Sequence, residues 1–188
     1  MSTKARHQAT IEDLYAVPDN GKAELINGEV VLMSPTGGIP GHAGGEIYVS
    51  LREYARRTKS GHAVPDNVGF RVGLPHRESF SPDAAFYIGN LSMKYLEGAP
   101  VFAAEVRSEG DYGLNAEQSI ADKRKDYFAA GTLVVWDVDL LSEEVVRVYR
   151  ASDPNRPTIY RRGDTAEAEP AVPGWSMQVD NLFPNEYR

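Results

Sequence analysis

The stretch Val101-Phe-Ala-Ala-Glu105-Val-Arg107-Ser108, followed by Asn115 to Ala130, Gly131 and Thr132-Leu-Val-Val-Trp136-Asp137-Val138, decides how this chain folds. Val101–Val106 and Thr132–Val138 are short, mostly apolar runs, the pattern of strands covered on both faces. Between them Ala116, Ile120, Lys123 and Tyr127 recur at helical spacing and Gly131 closes the helix. Strand, helix and strand in this order predict a right-handed parallel crossover, and with it an α/β sheet.

Outward from this unit, Ala84–Ile88 reads as a second buried strand, preceded by Pro82-Asp83. Val68–Leu74 reads as a strand and Pro75–Ser81 as a polar loop. Ala23-Glu24-Leu-Ile26 and Glu29–Met33 flank Asn27-Gly28, which supplies the two positive-φ residues of a tight β-hairpin turn. Thr10-Ile-Glu-Asp13 opens a short helix expected to stop near Pro18–Gly21. Pro35–Gly41 reads as a loop, and His42–Lys59 as a helix ended by Gly61. Val145–Tyr149 and Thr158–Arg162 alternate like edge strands, and Pro173–Pro184 carries enough apolar bulk to dock on the body. The chain shows no repeat, low-complexity tract or linker, so its 188 residues predict one domain, with residues 1–9 flexible.

The bulk properties narrow the function. With no cysteine, disulfides and thiolate metal sites are excluded. A formal charge of -7 argues against a protein that coats nucleic acid nonspecifically. Basic residues do cluster locally, at Arg52/Arg56/Arg57/Lys59 and Lys123/Arg124/Lys125, a pattern that solvated helix faces share. No apolar run reaches the length of a membrane span, and a cytoplasmic location is expected.

Carboxylates at the ends of buried strands are costly unless a cation or hydrogen bonds compensate them. Asp83 enters one such strand, Glu105 leaves another, and Glu24 lies on the hairpin. Phosphodiester hydrolysis needs a nucleophilic water, relief of phosphate charge and help for the departing oxygen, and a carboxylate-bound Mg²⁺ supplies all three. Asp83 and Glu105 are the expected ligands, with Glu24 completing the shell or binding through water, and Mn²⁺ is the alternative ion. The cation beside the attacking water is assigned to Lys123, although periodicity does not separate it from Arg124. His42 opens a helix and suits a helix-start or substrate-loop role better than metal ligation, while His62 and His76 read as surface residues. Ser108 has no nucleophile elbow around it, and the glycines at 37, 38, 41, 44 and 45 make no nucleotide-binding fingerprint.

Taken in order, Ala23–Val30, His42, Ser81-Pro82-Asp83, Glu105–Ser108, Tyr127–Gly131 and Val135–Val138 resemble the bacterial Uma-two family of restriction-endonuclease-like proteins, within the PD-(D/E)XK nuclease superfamily. The resemblance runs from about Ile11 to Phe183. It implies a mixed sheet flanked by helices, a divalent metal and a catalytic set of Glu24, Asp83, Glu105 and Lys123. The superfamily's lysine two residues after the glutamate is Arg107 here, and in this family the lysine sits on the following helix, where Lys123 stands. The activity so implied is metal-dependent cleavage of DNA, RNA being the other polymer; because one small site sees one strand, cutting a duplex calls for two copies, and a homodimer is expected. Two further readings stay open: a noncatalytic nucleic-acid- or protein-binding member of the fold, and a hydrolase of small phosphorylated substrates.

Overall fold

The computed structural model describes residues 8–17 and 21–185. The predicted crossover is its centre. Strand β8 (Phe102–Val106) lies parallel to β9 (Val134–Val138), with Glu105 opposite Asp137, and helix α3 (Leu114–Ala129) joins them. On one side of this pair runs β6 (Ala84–Tyr87), antiparallel to β8, then edge strand β3 (His62–Pro65). On the other side are β10 (Val146–Arg150) and β11 (Asp153–Tyr160), completing six strands in the order β11-β10-β9-β8-β6-β3.

Successive side chains of a strand face opposite ways, and that alternation makes two cores. Phe102, Ala104, Val134 and Trp136 turn toward helix α2 (Gly38–Thr58) and the C-terminal tail, where Ile47, Leu51 and Trp175 meet them. Ala103 and Val135 turn the other way, toward Tyr127 of α3 and Phe70 and Phe80. Glu105 and Asp137 belong to this second face by register, which aims both at α3. The tail docks as expected: Trp175 packs on Trp136 with ring centroids 5.0 Å apart and donates its indole N–H to Ser50. It also forms a short hairpin, β12 (Thr165–Glu167) with β13 (Ser176–Gln178), and a 3-10 helix over Val179–Leu182.

The N-terminal hairpin, β1 (Ala23–Ile26) and β2 (Glu29–Leu32), turns at Asn27 (φ 52°) and Gly28 (φ 71°). It belongs to a second sheet, ordered β2-β1-β5-β4-β7, built with β4 (Phe70–Leu74), β5 (Arg77–Phe80) and β7 (Leu96–Glu97). Here the structure corrects the expected loop over Pro75–Ser81, most of which is β5. The strand escaped the hydrophobic pattern because its inward residues, Arg77 and Ser79, are polar and meet polar partners: Ser79 Oγ accepts the Leu25 N–H at 2.8 Å.

Helix α2 starts at Gly38, inside the expected loop, because Pro40 in the first turn gives up only an N–H that has no helical partner anyway. It ends at Lys59 in the left-handed conformation rather than at Gly61. Gly61 is needed for a different reason: a Cβ there would stand 2.7 Å from the Phe86 ring and the Tyr87 carbonyl. Helix α1 (Ile11–Tyr15) forms where expected, while its predicted stop signal falls mainly on residues 18–20, outside the described residues, as do residues 1–7 of the expected flexible start. No helix among the described residues is long and apolar enough to cross a membrane.

Candidate active site

Four strand and helix positions bring the charged residues together. Asp83 precedes β6, and its N–H bonds the Ala104 carbonyl at 3.1 Å, so the β6–β8 register sets it beside the end of β8. Its Oδ2 accepts the Val106 N–H at 2.8 Å. Glu105 points from β8 toward α3, where Lys123 donates to its Oε2 at 2.9 Å and the Tyr127 hydroxyl to its Oε1 at 2.5 Å. Lys123 also lies 3.0 Å from Glu24 Oε1. The structure thus gathers Glu24, Asp83, Glu105 and Lys123 into one cluster. Arg124, the alternative cation, stacks instead over the Tyr149 ring, 3.6 Å from its centroid.

Glu24 sits deeper than the other two carboxylates. It is 1% exposed, and Arg77 (2.5 Å to Oε2), the Ser81 N–H (3.0 Å to Oε1) and Lys123 engage both its oxygens. Arg77 is tied in turn to Asp126, which also meets His76. Burial alone would raise the Glu24 pKa, but the charges of Lys123 and Arg77 hold it below its ordinary value of 4.5. Glu105 goes the other way: burial raises its carboxyl, Lys123 opposes, and the nearby Asp83 and Glu24 charges add to the rise. Lys123 pays for burial too, yet Glu105 and Glu24 outweigh it and raise its pKa, so it is a lasting ammonium.

Three functional-looking groups were missed. Lys22 donates to Asp83 Oδ1 at 2.8 Å and pairs with Asp66 at 2.7 Å, and Asp83 and Glu105 lift its pKa despite its burial. The signal was available: in an extended chain Lys22 and Glu24 share a face at i, i+2. Arg77 lies in the segment expected as a loop, and Tyr127, part of the apolar stripe and of a family motif, carries no site role in the sequence reading. Arg107 turns to Asp137 and Glu117, with its Nε 2.7 Å from Asp137 Oδ1, so it braces β8 against β9 and α3. His42 lies in the second turn of α2 with its Nε2 buried and unpartnered, and His62 belongs to β3.

A cavity of about 490 Å³ opens over the cluster, lined by Lys22, Thr36, Asp83, Glu105, Ser108 and Lys123. Three carboxylates (Glu24, Asp83, Glu105) face two ammonium groups (Lys22, Lys123) and, behind Glu24, the Arg77 guanidinium. No three acidic or histidine side chains among the described residues converge tightly enough to cage a metal. Magnesium does not require a cage: it keeps several waters and binds through one or two carboxylates plus substrate oxygens. The hard oxygens of Asp83 and Glu105 at the cavity wall fit such an ion.

The mixed α/β sheet thus carries acidic groups at the ends of its central strands and a lysine on the crossover helix. The chain belongs to the Uma2 family, described as "Putative restriction endonuclease", whose model matches residues 9–180. The fold is similar to that of a solved structure described as a putative nuclease belonging to DUF820 from Anabaena variabilis. The TM-score is 0.72 at 17% identity, over 93% of this chain and 97% of that one. No curated protein matches the chain.

Proposed function

We propose that this protein hydrolyses phosphodiester bonds of DNA with the help of Mg²⁺ or Mn²⁺. The observation that carries the reading is the convergence of Asp83, Glu105 and Lys123 on one open cavity. Asp83 and Glu105 would hold the ion, which when bound supplies Lewis-acid relief of phosphate charge and a more acidic water. The chain's own residues do the rest. Lys123, kept as an ammonium, donates to the attacking water or a phosphate oxygen and opposes the negative charge that builds there. Glu24 supports the site from behind by holding Lys123, and Tyr127 fixes the Glu105 carboxylate. Lys22 offers a second ammonium at the Asp83 side. A homodimer would present one site to each strand of a duplex.

The rival is a charge network without catalysis, favoured by one observation: Asp83 and Glu105 are each already neutralised by a lysine. Incubating the protein with plasmid, single-stranded DNA, RNA and a generic phosphodiester, each with Mg²⁺ and with Mn²⁺, separates the readings. DNA cleavage that Asp83→Asn and Lys123→Met both abolish is the expected result. Cleavage of none of the four polymers and esters overturns the proposal in favour of the rival, and cleavage of the generic ester alone overturns the assignment to DNA.

A further inference from the structure

Helix α2 carries a stripe that the active site does not use. At 100° per residue, Gly41, Gly45, Tyr48, Arg52, Ala55, Arg56 and Lys59 fall on one side, while the core residues Ile47, Leu51 and Tyr54 fall on another. From Gly41 to Lys59 the stripe is about 27 Å long at 1.5 Å per residue. Opposite it runs the edge strand β3. Three cavities open along this side, the second and third between the two elements and the first, lined by neither, beside them. The first is the active-site cavity; the second, about 170 Å³, shares Thr36 and Asp83 with it and reaches Tyr48 and Pro65. The third, about 580 Å³, is lined by Arg52, Arg56, Lys59 and His62, with Ile88 and Leu91 exposed on its rim.

The stripe's glycines leave open space, since a Cβ on Gly45 would meet nothing within 4 Å, while the neighbouring Gly44 packs close to Asp83, a Cβ there standing 3.4 Å from the Asp83 Cβ. Beyond them the Arg52 guanidinium lies 5.7 Å from the Tyr48 ring centroid, and the buried Arg52 Nε has no hydrogen-bond partner. Among the described residues, Arg52, Arg56 and Lys59 make no ion pair, on a chain whose net charge is -7. Acidic Glu53 and basic Arg57 project from other faces of the helix. An aromatic ring followed by unpaired cations and an apolar rim is the composition of a site for a single nucleic-acid strand, whose bases stack while its phosphates are neutralised.

We propose that the groove between α2 and β3 binds one strand of nucleic acid leading away from the active site, with Tyr48 beneath a base and Arg52, Arg56 and Lys59 on its phosphates. The choice of polymer rests on the nuclease reading; the narrow middle cavity favours a single strand over a duplex. Fluorescence anisotropy of end-labelled oligothymidine, oligouridine and a duplex of equal length, in EDTA so that nothing is cut, tests it. Three phosphate contacts at a slope of about -0.7 each predict that single-strand affinity falls about 20-fold between 50 and 200 mM salt. Arg56→Glu/Lys59→Glu is expected to weaken single-strand binding at least tenfold and to flatten the slope by about 1.4 or more. The control Arg57→Glu/Lys125→Glu makes the same charge change on other faces and is expected to leave binding within threefold. Oligothymidine and oligouridine bound alike support a strand read by phosphate and stacking, and a preference between them names the polymer.

Equal weakening by the two double variants, no binding by the wild type, or tighter binding of the duplex with the same dependence on Arg56 and Lys59 would overturn the proposal. The two readings fail separately. A wild type that cuts DNA, with Arg56→Glu/Lys59→Glu binding and cutting as well, removes the groove and leaves the nuclease. A wild type that binds through the groove and cuts nothing does the reverse.

Discussion

Replacing Arg77 with alanine tests whether the cluster is one interdependent unit. The guanidinium is 8% exposed and donates to Glu24 at 2.5 Å and Asp126 at 2.8 Å, while stacking 5.0 Å from the Phe80 ring centroid. Removing one partner of a buried ion pair costs about 3–5 kcal/mol, because the other charge remains buried without compensation. Glu24 would keep Lys123 and the Ser81 N–H, and Asp126 would keep His76, which favours the lower end. A loss of about 3 kcal/mol is therefore expected, a large fraction of the 5–15 kcal/mol typical of a whole domain. Urea unfolding of the wild type, Arg77→Ala, Glu24→Gln and the double variant measures both the loss and the coupling. The double variant should be less destabilised than the sum of the singles by about 1.5 kcal/mol or more. A loss under about 1 kcal/mol, the size of an exposed pair, or strictly additive singles would refute the reasoning.

Tyr127→Phe removes the hydroxyl that holds Glu105 and leaves the ring stacked on Phe80 at 4.0 Å, so it is expected to cost about 1–2 kcal/mol in urea unfolding and to reduce cleavage without unfolding the protein. The two acidic groups predict opposite pH trends. The Glu24 pKa lies below 4.5 in the folded protein, so its stabilising contribution is present above pH 4.5 and is lost as the pH falls through the folded value. The stability gap between wild type and Glu24→Gln should narrow there. The Glu105 pKa lies above 4.5, so Glu105→Gln should gain stability relative to wild type as the pH rises from 4.5 through the folded value. Thermal denaturation across this range checks both signs.

The parallel crossover and the hairpin were legible because each has a strong local rule behind it: helical periodicity between two apolar runs, and Asn27-Gly28 at a turn that demands positive φ. Strand β5 was not legible, since Arg77 and Ser79 face inward toward partners distant in sequence. The start of α2 was obscured by Gly37, Gly38 and Pro40, whose loop-like composition is compatible with a first helical turn. At the site, Asp83 and Glu105 stood out as charges at the ends of apolar strands. Periodicity alone does not separate Lys123 from Arg124, and the structure does so by placing Arg124 over the Tyr149 ring. Lys22 was overlooked because its partners, Asp66 and Asp83, come from segments that only the tertiary fold brings near it.

The most direct measurement is calorimetric titration of the protein with Mn²⁺ and Mg²⁺, paired with thermal unfolding in the same ions. Wild type should bind and gain about 2.7 kcal/mol of stability when the ion is present at 100 times its Kd, and Asp83→Asn and Glu105→Gln should each remove both heat and stabilisation while remaining folded. Wild type that binds neither ion, or Asp83→Asn that binds as well as wild type, would contradict the metal site.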